Sequence, residues 1–411
     1  MTSKNKYKKY LAFLLIIGCF FGSIFLFDNK LKVDASEDEY AYNEDEVYNE
    51  NGELELVKDA KAAILIEPTT LEVIYEKNAD EPRPPASMTK IMTMLLIMEA
   101  LDKKVLTLDQ QLTASEYASS MGGTNIYLEP GEKMSVRDLL LSVAINSAND
   151  SAVVFAEAIG GSEANFVKMM NQKAKEIGAK NTVFKNCNGL PEEGHVSTAR
   201  DMALMAAYLI NNYPEILNYT SIYEAYLREG TPKKFWLVNT NKLVKFVEGV
   251  DGLKTGWTNE SGYCLTATIK RDGKRFIAVA MGNSTAKIRN AEVMQMLNYA
   301  LANYDVEPIY KQGTIIDTYE DVRFFPKTYN IVITKDVNVL KKKGEVLKKV
   351  TVEKNILYEN IGFDNKKVGT IKVYYDGKLL TEVDLAVKEE VIKASFFNIL
   401  YEVLKEIFLV S

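Results

Sequence analysis

The chain has 411 residues, of which 47% are hydrophobic and 26% are charged, a composition that suits globular folding in two or three domains. The net charge of −6 argues against a nucleic-acid partner. A single histidine and three widely spaced cysteines argue against a metal centre and against a disulfide framework, so no cofactor is expected.

Residues 1–35 have the pattern of a secretory signal. Four lysines precede an apolar run over 11–27, and the segment ends at a small residue, Ala35, in the manner of a cleavage site. The run is longer than the usual h-region of about 7–15 residues, so an uncleaved anchor is the alternative. Residues 36–56 are strongly acidic and lack apolar periodicity, which predicts a disordered spacer. The rest of the chain is therefore expected outside the cytoplasm.

Residues 57–304 combine strand and helix signals and predict one α/β domain, a sheet flanked by helices. A hairpin of "AAILIE" and "LEVIYEK" begins the segment, and a turn at 271–273 joins "GYCLTATIK" to "KRFIAVAMG". Ser135 and Ser162 are expected to cap helices, and Gly178 is expected to end one. The predicted helices are the apolar segment after residue 87, "SVRDLLLSVAIN", "SEANFVKMMNQKAKEIG", "STARDMALMAAYLINN" and residues 286–303.

After residue 304 the secondary-structure pattern of the sequence changes twice. Residues 305–392 contain strand signals alone and predict a small all-β domain, with a hairpin turn at 376–377. Residues 393–411 place apolar side chains at helical spacing, with a few charged residues on the other face. This segment is too short and too charged to span a membrane, so we expect it to lie in the membrane interface. The alternative is a helix docked on the β domain.

Three short motifs follow one another in the predicted α/β domain. The pattern S-x-x-K alone is a weak signal, because it also occurs at 3–6, in the signal segment, and at 284–287, without an apolar helix behind it. Only the match that opens the apolar helix is followed in order by S-x-N and by the single K-T-G of the chain. The three motifs are Ser87-Met88-Thr89-Lys90, Ser147-Ala148-Asn149 and Lys254-Thr255-Gly256.

The first motif pairs a nucleophile with a base. A serine hydroxyl is a weak nucleophile and needs a base close by. Lys90 lies one helical turn after Ser87, on the same face, and can act as that base only when it is neutral. Burial and a second cation both lower the pKa of a lysine, and Lys254 can be that cation while also attracting a substrate anion.

The other motif residues can complete a cleft around this pair. Ser147 can pass a proton to a leaving amine, and Asn149 can hydrogen-bond a peptide substrate. Gly256 allows a ligand backbone to approach the strand, whose edge can pair with an extended substrate. The oxyanion hole would use the backbone N–H groups of Ser87 and Trp257.

From about residue 57 to 393 the sequence resembles the D-alanyl-D-alanine carboxypeptidases, the low-molecular-mass penicillin-binding proteins of peptidase family S11. The resemblance rests on "PPASMTKIMT", "GGTNIYLEPGEKMSVRDLLLSVAINSANDSA", "NGLPEEGHVSTARDMA" and "VDGLKTGWTNESGYCLTAT". It implies a catalytic domain of the serine β-lactamase/DD-peptidase type, an antiparallel sheet flanked by helices. A β-rich domain and a C-terminal amphipathic anchor are implied after it.

The resemblance also implies a role for each motif residue. The catalytic residues are Ser87, the acylated nucleophile, Lys90, its proton acceptor, and Ser147; the substrate-binding residues are Asn149, Lys254, Thr255, Gly256, Trp257 and Arg289. Arg289 falls where the family keeps an arginine for the terminal carboxylate of the substrate, a bidentate role that suits a guanidinium. Trp257 stands where such enzymes often have histidine or tyrosine, which bears on substrate preference.

The implied reaction removes the terminal D-alanine from peptidoglycan stem peptides through a Ser87 acyl-enzyme, which limits cross-linking of the wall. It would take place at the outer face of the cytoplasmic membrane, and β-lactams would be covalent inhibitors of the enzyme.

Three alternatives use the same sequence differently. A Ser-His-Asp hydrolase would need His195 as its base, but no GxSxG elbow supplies the serine, so His195 is expected to brace a loop. A β-lactamase would need a base that activates the deacylating water, and no ExxxN lies between Ser147 and Lys254. A catalytically silent penicillin-binding sensor or cell-wall module would keep the pocket without turning over a D-Ala-D-Ala peptide.

Overall fold

The structure of the chain is a computed structural model that describes residues 47–363 and 365–409. The predicted signal segment, 1–35, and the spacer up to residue 46 lie outside the described residues.

A five-stranded antiparallel sheet forms the centre of the N-terminal region. The strands of this region are β1 (Ala62–Ile66), β2 (Val73–Lys77), β3 (Gln111–Thr113), β4 (Lys133–Ser135), β5 (Glu224–Leu227), β6 (Phe235–Val238), β7 (Val250–Thr258), β8 (Gly262–Arg271) and β9 (Lys274–Asn283). The sheet has the order β2-β1-β9-β8-β7, while β3 pairs with β4 and β5 with β6. Strand β7, which carries the K-T-G motif, is therefore an edge strand with one side free of sheet hydrogen bonds.

Helices pack on both faces of this sheet. They are α1 (Lys90–Asp102), α2 (Glu116–Ser119), α3 (Val136–Leu141), α4 (Asn149–Gly160), α5 (Glu163–Ile177), α6 (Ala199–Asn212), α7 (Leu217–Thr220), α8 (Leu243–Phe246) and α9 (Ala286–Asn303). Ile64, Val279 and Met281 of the sheet share one buried core with α1, α4, α5 and α6, and α9 packs against β8 and β9. The predicted sheet flanked by helices is confirmed.

Local sequence signals explain the ends of several elements. Ser135 and Ser162 each accept a hydrogen bond from the backbone N–H three residues later, which caps α3 and α5. Gly178 ends α5 with φ 89°, a left-handed conformation that glycine adopts without strain. The hairpin turn between β8 and β9 has φ 52° at Asp272 and 77° at Gly273, as the Asp-Gly pair predicts.

The C-terminal region is built from strands around a second hydrophobic core. Its strands are β10 (Tyr304–Tyr310), β11 (Ile315–Glu320), β12 (Phe324–Phe325), β13 (Thr328–Ile333), β14 (Val337–Lys342), β15 (Val350–Ile356), β16 (Gly369–Tyr375), β17 (Lys378–Val387) and β18 (Ile392–Lys393). One sheet has the order β11-β13-β17-β16-β15, and β10 pairs with β14 and β12 with β18. The core includes Tyr329, Ile331, Ile371 and Leu385. The predicted Asp376-Gly377 hairpin joins β16 to β17.

The described end of the predicted spacer, residues 47–56, differs from the expectation of disorder. Tyr48 forms a β-bridge with Leu54 across a turn, and the side chains of Val47 and Leu56 are fully buried. The prediction of disorder rested on the acidic composition of the segment and gave its few apolar residues too little weight. Two buried side chains suffice to anchor a short turn.

The chain ends in helix α10 (Phe396–Leu409). Eight of its described apolar and aromatic side chains are exposed, from 40% for Val403 to 77% for Phe397, while Ile399 is half-buried. Within the described residues, none of the helices combines the length and the apolar character that crossing a membrane requires.

Candidate active site

Ser87 lies in a short 3-10 turn, Ala86–Thr89, which leads directly into α1. Two glycines let the surrounding chain pack tightly against this turn. A Cβ on Gly189 would lie 1.9 Å from a backbone carbonyl oxygen of the turn, and a Cβ on Gly256 would lie 2.7 Å from the Pro85 carbonyl oxygen. Any side chain at either glycine would therefore displace the nucleophile.

Lys90, the first residue of α1, is completely buried and faces Ser87. Its Nζ lies 3.2 Å from Ser87 Oγ, and it donates to Asn149 Oδ1 at 2.6 Å and to the Asn188 carbonyl oxygen at 2.7 Å. Burial lowers the pKa of Lys90 to about 7, so the neutral amine is well populated near neutral pH. A neutral amine has two hydrogens to donate to these two acceptors, which leaves its lone pair for the Ser87 hydroxyl proton.

Asn149 holds this lysine in place. Its Oδ1 accepts from Lys90, and its Nδ2 donates to the Gly122 carbonyl oxygen at 2.7 Å. Its backbone N–H donates to the Thr124 carbonyl oxygen, also at 2.7 Å. The sequence predicts a hydrogen bond from this amide to a substrate, whereas in the structure the amide ties the base to the 122–124 loop.

Ser147 carries two signs of a functional position. Its backbone lies in the left-handed region with φ 67°, which is strained for a residue with a Cβ. Its Oγ is buried and has no hydrogen-bond partner among the described residues. An unsatisfied buried hydroxyl costs stability, so it calls for a reason beyond folding.

Lys254 is the second buried cation of the site. Its side chain is 1% exposed, and its Nζ donates to the Thr255 carbonyl oxygen at 3.2 Å. Burial, together with the charges of Lys90 and Arg289, holds the pKa of Lys254 well below its usual value. An anion bound here would stabilise the charged form of Lys254 and raise its pKa again.

Thr255 and Trp257 flank the glycine of the same strand. The Thr255 hydroxyl donates to Thr240 Oγ1 at 2.7 Å, which fixes its rotamer. The Trp257 side chain is 53% exposed and packs beside Tyr263, with ring centroids 5.9 Å apart. Gly256 was predicted to let a ligand backbone approach the strand. In the structure, the absence of a side chain at Gly256 instead allows the strand to pack against the Ser87 turn.

Arg289 lies in the first half of α9 with 5% of its side chain exposed. Its Nη1 donates to the Cys264 carbonyl oxygen of β8 at 3.4 Å, and its Nη2 donates to Asn290 Oδ1 at 2.8 Å. Its charge contributes to the low pKa of Lys254, as expected for two cations in the same area. Arg289 is therefore a buried group next to the K-T-G strand.

His195 is buried and supports the turn of the nucleophile. Its Nδ1 accepts from the Lys185 backbone N–H at 3.2 Å, so the proton lies on Nε2, which donates to Thr89 Oγ1 at 2.8 Å. Burial lowers the pKa of His195 to about 4, which keeps the ring neutral. Both nitrogens are thus occupied, as a bracing role requires.

Two contributors to the site were absent from the sequence analysis. The Asn188 carbonyl oxygen holds Lys90, and Thr240 orients Thr255. A backbone carbonyl leaves no trace in a sequence, and Thr240 belongs to no motif. Asn188 does begin the segment "NGLPEEGHVSTARDMA", which carries part of the family resemblance. Within that segment, the glycine after Asn188 is the one residue whose type indicates a close backbone contact.

A serine at the start of a buried helix, a lysine one turn later and an edge strand beside them are features of serine acyl hydrolases with a lysine base. The sequence profile of the D-alanyl-D-alanine carboxypeptidase family matches residues 49–285, more than half of the chain. The chain therefore belongs to the D-alanyl-D-alanine carboxypeptidase family, and it is a serine peptidase of that family. The resemblance seen in the sequence is confirmed.

Relatives and solved structures agree with this membership. The chain is 49% identical over 349 residues to D-alanyl-D-alanine carboxypeptidase DacF of Bacillus subtilis, covering 84% of this chain and 89% of the relative. Penicillin-binding protein 5 from Haemophilus influenzae has a similar fold, with a TM-score of 0.63 and 27% identity over 82% of this chain and 98% of that one. The cefotaxime-bound penicillin-binding protein D2 from Listeria monocytogenes gives a TM-score of 0.51 and 35% identity, over 59% and 97% of the two chains.

Proposed function

We propose that Ser87 is the nucleophile that removes the terminal D-alanine from peptidoglycan stem peptides and that Lys90 is its base. The observation that carries the proposal is the setting of the Lys90 amine. It is buried, its pKa is about 7, two acceptors orient it, and its remaining neighbour is Ser87 Oγ at 3.2 Å. This arrangement turns a weak hydroxyl nucleophile into a reactive one without a histidine.

Acylation then follows from the geometry. Lys90 takes the hydroxyl proton as Ser87 Oγ attacks the carbonyl carbon of the penultimate D-alanine. The backbone N–H groups of Ser87 and Trp257 stabilise the negative charge on the carbonyl oxygen. The otherwise unpartnered Ser147 hydroxyl delivers a proton to the departing amine, and water later releases the acyl group from Ser87.

The substrate is held by the strand edge and by the buried cations. An extended peptide can add to the free edge of β7 by main-chain hydrogen bonds. The terminal carboxylate of the substrate is bound by Lys254, Thr255 and Arg289, whose positive charges and hydroxyl suit an anion. In this proposal Asn149 acts mainly by positioning Lys90, and it contacts substrate only through its second amide hydrogen.

β-Lactams are proposed as covalent inhibitors that acylate the same serine. The Listeria relative with cefotaxime bound supports this extension. Without a base dedicated to the deacylating water, the adduct is expected to persist, which separates this protein from a β-lactamase.

One experiment tests the nucleophile. Mass spectrometry after incubation with benzylpenicillin should place a stable adduct on the peptide that contains Ser87, and Ser87→Ala should abolish it. Ser284→Ala, which removes the serine of the other S-x-x-K match within the described residues, is the control and should label fully. Labelling of Ser87→Ala at full intensity would rule out this serine.

A second assay separates enzyme from silent binder. The protein should release D-alanine from a synthetic peptide that ends in D-Ala-D-Ala, and Ser87→Ala should not. A protein that is acylated by penicillin but releases no D-alanine would be the penicillin-binding sensor or cell-wall module instead.

We also propose that the protein works outside the cytoplasm and attaches to the outer face of the cytoplasmic membrane through α10. The exposed apolar side chains of this helix support the proposal, because water-exposed apolar surface of this size calls for a partner. Removal of residues 393–411 should move the exported protein to the soluble fraction. Retention in the membrane fraction would point to an uncleaved N-terminal anchor.

A further inference from the structure

A second exposed apolar surface lies next to the start of α10. Strands β12 and β18 form a short antiparallel pair in which Phe325 is directly opposite Ile392. These two side chains are 58% and 55% exposed, and neighbours across a strand pair project from the same face. A phenylalanine and an isoleucine side by side in water are not explained by the β core, which lies on the other side and contains Phe324.

Phe363 is a further exposed ring on a third segment of the chain, but it lies beside Lys393, which projects with its strand partner Phe324 from the opposite face of the pair. The Phe363 side chain is 74% exposed, and the Lys393 ammonium lies 3.9 Å from the centroid of its ring. The adjoining Gly362 has φ 78°, and a Cβ there would lie 3.1 Å from the Phe324 ring and 3.3 Å from the Lys393 backbone nitrogen. The glycine therefore allows the loop to pack closely against β12 and β18. We call Phe325 and Ile392 together the aromatic platform, and Phe363 lies outside it.

The platform leads directly into the membrane helix. The Ala394 backbone N–H donates to the Arg323 carbonyl oxygen at 2.8 Å, which fixes the chain just before α10. The first turn of that helix then exposes Phe396 by 71% and Phe397 by 77%. Exposed apolar side chains thus continue from β12 across β18 into α10, with only a short polar link between them.

We propose that the aromatic platform is a second membrane contact, which inserts into the lipid interface beside α10. The inference rests on the proposed membrane attachment of α10 and deepens it. A lipid surface is favoured over a protein partner because the platform is continuous with that helix.

We expect the platform to fix the orientation of the β region on the membrane as well as to strengthen membrane binding. A helix alone tethers a protein to a surface, whereas a helix and a rigid sheet edge inserted side by side hold the β region in one pose. The strand pair and the packed Gly362 loop give the platform the rigidity that this role requires. Interfacial insertion to a depth of about 5–10 Å would bury most of its exposed apolar surface.

The test is flotation of the exported full-length protein with vesicles of phosphatidylethanolamine and phosphatidylglycerol. Phe325→Ser and Ile392→Ser should each weaken the partition constant about tenfold, given the apolar area withdrawn from the interface. Leu379→Ser is the matched control, because Leu379 is also 55% exposed but lies at the other end of β17 from the platform. It should partition like the unaltered protein.

The variants of α10 separate this inference from the attachment on which it rests. Phe408→Asp should weaken partition if α10 lies in the interface, whatever the platform does. If the unaltered protein floats and Phe408→Asp does not, while both platform variants float like Leu379→Ser, the platform inference is wrong and the attachment stands. If the unaltered protein fails to float, both are wrong. Self-association that is lost in the platform variants, with unchanged flotation, would assign the platform to a second copy of the chain and overturn the inference.

Discussion

The catalytic cleft and the end of the β region depart from stable packing in opposite ways. The cleft buries Lys90 and Lys254, and desolvation of a cation costs several kcal/mol. The β region and its helix instead leave Phe363 and Phe397 in water, which forgoes up to roughly 1.5–3 kcal/mol for each side chain. Neither departure helps folding, so each indicates a site where the chain meets something else.

The two departures differ in what the protein supplies around them. In the cleft, the cost of burial is partly offset by specific hydrogen bonds, such as those from Lys90 to Asn149 and Asn188. At the platform, the described residues leave more than half of the Phe325 and Ile392 side chains exposed. Chemistry needs a preorganised polar environment, whereas adhesion to a lipid surface needs apolar area and little geometric precision. Substitutions should therefore have large chemical effects in the first region and none in the second.

The largest effect is expected from Lys90→Met. Methionine has a similar length but cannot accept a proton, so acylation by a fluorescent penicillin should slow by roughly 10²–10⁴-fold. The fold should persist, because removal of a buried amine relieves its desolvation and offsets part of the cost of leaving the Asn149 and Asn188 oxygens without a donor. Lys173→Met is the control, since Lys173 is ion-paired with Glu99 and Glu176 away from the cleft. An acylation rate of Lys90→Met close to that of the unaltered protein would show that the base lies elsewhere.

The pH profile of acylation should show the titration of the same amine. Burial lowers the pKa of Lys90 to about 7, and only the neutral form can take the serine proton. The second-order rate should therefore fall about tenfold per pH unit below about 7 and level off above it. His195 cannot produce this limb because its pKa is about 4, so the limb should remain in His195→Gln. An acylation rate that falls as the pH is raised from 6 to 8 would mean that the charged lysine is the active form.

A smaller effect is expected from Gly256→Ala. The added methyl group would lie 2.7 Å from the Pro85 carbonyl oxygen, so the K-T-G strand and the Ser87 turn must move apart. A displacement of a few tenths of an ångström should slow acylation by roughly tenfold, less than the full misplacement of a reacting group. Gly122→Ala is a suitable comparison, since nothing lies within 4 Å of the added carbon. Equal rates for the two variants would remove the packing role assigned to Gly256.

Strong local signals made much of the fold predictable. The caps at Ser135 and Ser162, the stop at Gly178 and the Asp-Gly hairpins are short-range features, and each lies where its sequence predicts. The order of the sheet strands was not predictable, because it depends on contacts between segments that are distant in the sequence.

The site was predictable to the extent that it is made of side chains in motifs. The Ser87 to Lys90 spacing identified the reacting pair because a helical turn brings them together. The Asn188 carbonyl that orients Lys90 was not predictable, since every residue carries a carbonyl. The contact of Gly256 with Pro85 was missed for a related reason, because a missing side chain does not reveal what approaches it.

The smallest effect on the enzyme itself is expected from the double variant Phe325→Ser with Ile392→Ser. Both side chains are mostly exposed, so their removal takes little apolar area out of the folded core, and stability should change by less than about 0.5 kcal/mol. Acylation by penicillin in solution should be unchanged, because the cleft contacts found among the described residues do not involve β12 or β18. The same variant should lose vesicle binding by far more than it loses stability. Thermal unfolding, acylation rate and flotation measured on one preparation would check all three, and a slower acylation rate would show that the two regions are coupled rather than independent.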